Sequence, residues 1–129
     1  MDDIIKQNMK VEEFDEIQKD VLRAMVILHG AAWKSDLHDT LSTIWRLKKL
    51  DFNEMIKVSE RLPKTLEELK SKGILQWEKR FRGDLSRSEP IEDTLYYLEN
   101  VKEVSDKFSS DSIVLKYRSK IMGYNSLKL

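Results

Sequence analysis

From Val11 onward, apolar side chains recur at steps of three and four. Phe14, Ile17, Val21, Met25 and Leu28 fall on one stripe, which predicts a first helix. Glu12, Glu13, Asp15 and Glu16 crowd its opening turns, where the helix dipole favours anions. Gly30 is its expected stop. The residues before it read as a loose arm with a short helical turn at Ile4-Ile5. A second helix is expected from a Ser35 cap, with Asp36 and His38 in its first turns. Leu37, Leu41, Ile44, Trp45 and the aliphatic stem of Lys48 form its buried stripe. Asp51 and Glu54 have the spacing of a capping box and open a third helix. Phe52, Met55, Ser59, Leu62, Leu66 and Leu69 keep a strict three–four alternation, and this face is expected to meet the core. Pro63 interrupts it, and an interior proline costs about 3 kcal/mol. Because the stripe keeps its phase, the segment reads as one helix to Lys72, kinked at Pro63. The alternative is two helices, the second starting at Pro63.

The chain then changes period. Lys70, Lys72 and Gly73 end the helix, and an apolar run starts at once with Ile74-Leu75. QWEKRF follows, then the polar RGDLSRSEPIED and a second apolar-aromatic run, Thr94–Leu98. The order is helix, glycine cap, strand, long turn, strand. A last helix is expected from Glu99 or Asn100 to Gly123. It has Val101, Val104, Phe108, Leu115 and Met122 on one face, and Ser109–Ser112 is able to interrupt it and cap a second piece. The class is mainly α with a small β-hairpin.

The LxxLxxxGIL pattern (Leu66, Leu69, Gly73, Ile74, Leu75) and the hairpin after it resemble the second half of a winged helix-turn-helix domain. The resemblance spans Asp15 to Leu98. It implies a winged-helix core over residues 11–98 within a single domain of 129 residues. The third helix would read DNA and the hairpin would serve as wing, as in the transcription regulators that carry this pattern. Residues 99–123 would add a C-terminal helix. Its apolar face of Val101, Val104, Phe108, Leu115 and Met122 is the expected contact of a homodimer.

Charge sharpens this picture. Lys/Arg and Asp/Glu balance to a net of +0 over the chain. Residues 1–43 nevertheless hold five Lys/Arg against nine Asp/Glu, a net of −4, whereas residues 44–82 hold eleven against six, a net of +5. The basic excess lies on the segment that resembles the reader. With the apolar stripe facing inward, Asn53, Lys57, Arg61 and Lys64 lie on or near the outer face. Asparagine can pair bidentately with adenine and arginine with guanine, while lysines suit phosphates. Lys79, Arg80, Arg82 and Arg87 flank the hairpin turn, where phosphate-backbone or minor-groove contact would need them. Glu60, Glu67, Glu68, Glu89, Glu92 and Asp93 oppose a polyanion. These acids and the zero net charge keep a second class open, a winged helix that binds protein as a subunit of a transcription or replication assembly.

Other chemistries find no residues to carry them. There is no cysteine, so disulfides and thiolate metal sites are excluded. His29 and His38 are the only histidines and sit on different expected helices, and no HExxH, phosphate-loop or nucleophile-elbow motif occurs. Glu12-Glu13 and Glu67-Glu68 are sequence neighbours pointing to different sides of a helix, hence not a general acid/base pair. Trp33, Trp45 and Trp77 read as core or interface aromatics. No catalytic, metal or cofactor site is expected. With no apolar run near the roughly 18 residues of a membrane span and no signal-peptide layout, the expectation is a cytoplasmic protein without a membrane partner.

Overall fold

The computed structural model describes residues 9–128 except Asp84 and Arg87, with the side chains of 122–128 left aside. The expected helical turn at Ile4-Ile5 lies outside the described residues. A 3₁₀ turn at Val11–Glu13 leads into α1 (Glu16–Ile27), then β1 (Ala31–Trp33), α2 (Lys34–Leu47), α3 (Phe52–Ser71), β2 (Leu75–Arg82), β3 (Ile91–Leu98), α4 (Val101–Lys107) and α5 (Ser112–Lys128). This is an α+β fold, mostly helical, with one three-stranded antiparallel sheet in the order β1-β3-β2. The arrangement is compatible with a winged helix-turn-helix carrying extra C-terminal helices.

The first helix starts later than the apolar period suggests. Asp15 is its N-cap, accepting from the Gln18 N–H at 2.8 Å while Gln18 Oε1 accepts from the Asp15 N–H at 3.0 Å. The cap satisfies end groups that helical bonding cannot reach. At the other end His29, not Gly30, takes the first left-handed position, with φ 63°. The Gly30 N–H then reaches back to the Met25 carbonyl at 2.8 Å, and Gly30 itself has φ 94°. A Cβ on Gly30 would lie 2.7 Å from Val101 Cγ2, so the start of α4 rests directly on this turn.

The second helix departs from expectation at its start. Trp33 holds the N-cap position without a side-chain bond, and Ser35 lies inside the helix. The cause is tertiary. Ala31, Ala32 and Trp33 pair with Tyr97, Tyr96 and Leu95, a third strand that the sequence pattern did not show. The chain leaves that ladder directly into α2. The α2–α3 connection is a short turn ending on Asp51, whose capping box with Glu54 is formed as expected.

Helix α3 is continuous across Pro63, so the split alternative does not hold. The missing proline N–H leaves a carbonyl one turn back without its usual partner. Thr65 Oγ1 donates to the Arg61 carbonyl at 3.0 Å beside it. Gly73 closes the helix with φ 74°, and the Ile74 N–H returns to the Leu69 carbonyl at 3.1 Å, a six-to-one closure that only a residue free of Cβ strain makes cheaply. The hairpin strands are longer than the two apolar runs and register from Leu75↔Leu98 to Arg82↔Ile91.

The core is built from α1 (Val21, Leu22, Met25), α2 (Leu37, Leu41, Ile44), the second half of α3 (Leu62, Leu66, Leu69) and the sheet (Leu75, Tyr96, Leu98). The C-terminal segment joins it. Asn100 caps α4, accepting from the Glu103 N–H at 3.1 Å. The chain breaks at Phe108–Asp111, and Asp111 Oδ1 accepts from the Ile113 and Val114 N–H groups at 3.0 Å to start α5. The serine cluster therefore interrupts the expected single helix, and Gly123 does not end it, since α5 runs on to Lys128. Both α4 and α5 pack on α1, and α5 also on α2.

A buried ionic cluster ties these pieces together. Asp20, 2% exposed, accepts from Trp45 Nε1 at 3.0 Å, Arg23 Nη1 at 2.6 Å and Lys48 Nζ at 3.1 Å. Arg23 Nε reaches Asp111 at 3.0 Å, which joins α1 to the cap of α5. Lys48 also meets Glu16 at 2.8 Å. The Lys48 hydrogen bond, with Arg23 nearby, outweighs partial burial and pulls the Glu16 carboxyl down to about 2.

Candidate nucleic-acid interface

The two halves of α3 sit in different surroundings. Leu62, Thr65, Leu66 and Leu69 are buried, and Glu68 of the same half accepts from Gln18 Nε2 on α1 at 3.1 Å. In the first half Met55 and Val58 are only partly buried against the core. Ser59 is exposed, and Phe52, expected inside, is 77% exposed. The stripe is regular, but the body of the protein underlies only its second part.

Asn53, Lys57, Arg61 and Lys64 are all exposed on α3. Among the described residues none of their side chains has a hydrogen bond or ion pair within the chain. Their donors are unspent, and spacings of four, four and three place them along one side of the helix. Asn53 and Lys57 lie in the first turns, the part of a helix-turn-helix reader that approaches base edges.

The hairpin cations are differently placed. Lys79 Nζ donates to Thr94 Oγ1 at 3.1 Å. Arg80 Nε donates to Glu78 Oε1 at 2.6 Å. Arg82 Nε donates to Asp93 Oδ2 at 2.8 Å, with its guanidinium 5.3 Å from the Trp33 ring. Asp93 is held below the usual carboxylate range, first by the Thr94 N–H at 2.7 Å and then by Arg82. Arg87 lies outside the described residues. Among the described residues the hairpin cations thus sit on one strand and are already engaged, Lys79 and Arg82 with partners across the hairpin and Arg80 with Glu78 on its own strand. Phe81 and Leu85 extend outward near its tip and are strongly exposed.

The five apolar residues expected to meet a second protomer separate. Val104 and Phe108 are buried inside the chain's own core, Phe108 at 1% exposure, because α4 folds back onto α1. Val101 and Leu115 remain about half exposed. The side chain of Met122 lies outside the described residues. Trp45 is buried and bonded to Asp20, while Trp77 is half-buried beneath Lys70, whose Nζ lies 4.5 Å from the ring. Among the described residues no group of three or more His, Asp or Glu is placed to hold a metal ion. No described helix is long and apolar enough to cross a membrane.

The exposed pair Phe52 and Ile56 was not legible as a surface feature, because apolar periodicity carries no information on whether anything lies beneath it. No protein-family model matches the chain, and no curated protein matches it.

Proposed function

We propose that this chain is a winged-helix protein that binds duplex DNA sequence-specifically and acts as a transcriptional regulator. The observation that carries the proposal is the set of unspent donors on α3, Asn53, Lys57, Arg61 and Lys64, on a helix presented by a short turn and followed by a hairpin. Here they share one side of a helix of a size that fits the major groove. In this reading Asn53 and Arg61 address base edges, and Lys57 and Lys64 address phosphates. Lys79, Arg80, Arg82 and Arg87 follow the backbone from the wing, the first three exchanging their intramolecular partners for phosphates. A homodimer would present two readers to two half-sites about one turn apart. Val101 and Leu115 still offer apolar surface for it, whereas Val104 and Phe108 are already spent.

The test is a titration of the full chain against a random duplex pool at two salt concentrations. Log affinity should fall with log salt by about 0.9 per phosphate neutralised. Arg61→Ala should relax preference at one base position by about 1–3 kcal/mol, and Lys64→Ala should weaken all sequences alike. Light scattering at micromolar concentration tests the dimer. Absence of binding at low salt would move the assignment to the second reading, a protein-interaction module. That reading draws on the wing, where Lys79, Arg80 and Arg82 are already paired and Phe81 is exposed.

A further inference from the structure

We infer that Phe52 and Ile56 are base-reading residues that contact thymine methyl groups, so that the target site contains an A·T pair addressed by Asn53 and this apolar pair together. The inference rests on the DNA-binding reading above. It starts from a mismatch between stripe and burial. Phe52 is 77% exposed and Ile56 40%, although both lie on a helix whose second half is well packed. With Met55, Ser59 and Glu60 they line a shallow, mostly apolar depression at the start of α3.

Position and charge together select the occupant. At about 100° per residue, Phe52, Ile56, Asn53 and Lys57 follow one another around the helix. The apolar pair therefore lies beside the unspent polar strip, with Glu60 at the join. A partner seated on Phe52 and Ile56 meets Lys57, Arg61 and Lys64 on the same helix, none of which has an ion-pair partner among the described residues, and one acid, Glu60, among them. A polyanion complements that strip. Within the major groove, the one strongly apolar feature is the thymine C5-methyl, which aromatic and aliphatic side chains contact. Asparagine pairs with adenine, the partner base of thymine, so the neighbouring Asn53 makes the two contacts parts of one recognition unit. Glu60 rims the same depression. Its carboxylate repels phosphates, so in this reading it faces a base edge, where it would accept from a cytosine amino group.

The experiment first selects a preferred site from a random duplex pool with the full chain. Each thymine in that site is then replaced singly by deoxyuridine, which removes only the methyl group. The wild-type chain should lose about fourfold in affinity at one or two positions, the worth of one buried methyl-sized group. Phe52→Ala or Ile56→Ala should abolish that loss while still binding DNA. Both side chains are exposed, so unchanged thermal melts confirm that the variants fold. Wild-type binding insensitive to every uracil, or a penalty that persists in both variants, would overturn the inference and leave DNA binding standing. So would a change in oligomeric mass on Phe52→Ala, which would assign the patch to self-association. Absence of any duplex binding at low salt is a separate outcome that removes the underlying function as well.

Discussion

The two halves of α3 obey one sequence rule and meet two physical fates. From Leu62 to Leu69 the apolar positions lie over α1 and the sheet, and Leu69 is fully buried. From Phe52 to Ser59 the same alternation continues over much less protein. Helix periodicity is a property of the segment, whereas burial is a property of what faces it. The stripe predicts which residues would be buried together, not whether a partner is present. Capping explains how the first half stays helical with little packing. Asp51 and Glu54 satisfy its end groups reciprocally, and propagation from the packed half extends the helix across Pro63.

The contrast can be broken by mutation. Leu69→Ala should cost about 4 kcal/mol, because it empties a fully enclosed site. Phe52→Ala should stay within about 0.5 kcal/mol. Denaturant unfolding of the two variants measures the difference, and equal costs would mean that α3 is uniformly packed. Asp20→Ala should cost about 3 kcal/mol by leaving Arg23, Lys48 and the Trp45 N–H without their shared acceptor. It should loosen α5 as well, through Arg23 and Asp111. Hydrogen exchange at α5 is the readout, and unchanged protection there would show that the cluster does not transmit.

Smaller effects sharpen the boundary between the halves. Pro63→Ala should restore about 2 kcal/mol of helix stability, since it returns the missing N–H and relieves the ring clash. The gain should be visible as slower amide exchange from Phe52 to Arg61. Asp51→Ala should cost about 1 kcal/mol by removing the cap, with faster exchange confined to the same turns. Smallest is an acid effect. Because Glu16 is pulled down to about 2 from 4.5, it contributes stability that is present above pH 4.5 and is lost as pH falls towards 2. Glu16→Gln should flatten the pH dependence of the melting temperature in that window. An unchanged slope would show that the exposed carboxylate is not engaged in solution.

Much of the fold was legible locally. The Asp51–Glu54 capping box, the Gly73 stop, the interruption before Ser112 and the hairpin order depend on neighbouring residues, and each is found where the sequence places it. The misses share one cause. Strand β1 is three residues of Ala-Ala-Trp, with no alternation to detect, and it exists because β3 offers an edge. That pairing also cancels the Ser35 cap. Val104 and Phe108 looked like a free apolar face because the fold-back of α4 onto α1 is set by Gly30 admitting Val101 and by Arg23 reaching Asp111. Neither contact has a sequence signature.

By itself the sequence determined the helical and strand periods, the caps, the hairpin, and the basic excess over residues 44–82, because each of these is carried by residues close in the chain. Only the tertiary structure decided that Asp20 becomes the shared acceptor of a buried cluster, that Lys79, Arg80 and Arg82 of the hairpin are pre-engaged, and that the first half of α3 keeps both its cations and its aromatic side chain outward. Those outcomes depend on which surfaces are brought together and on where the protein body ends, and no local pattern encodes the position of that edge.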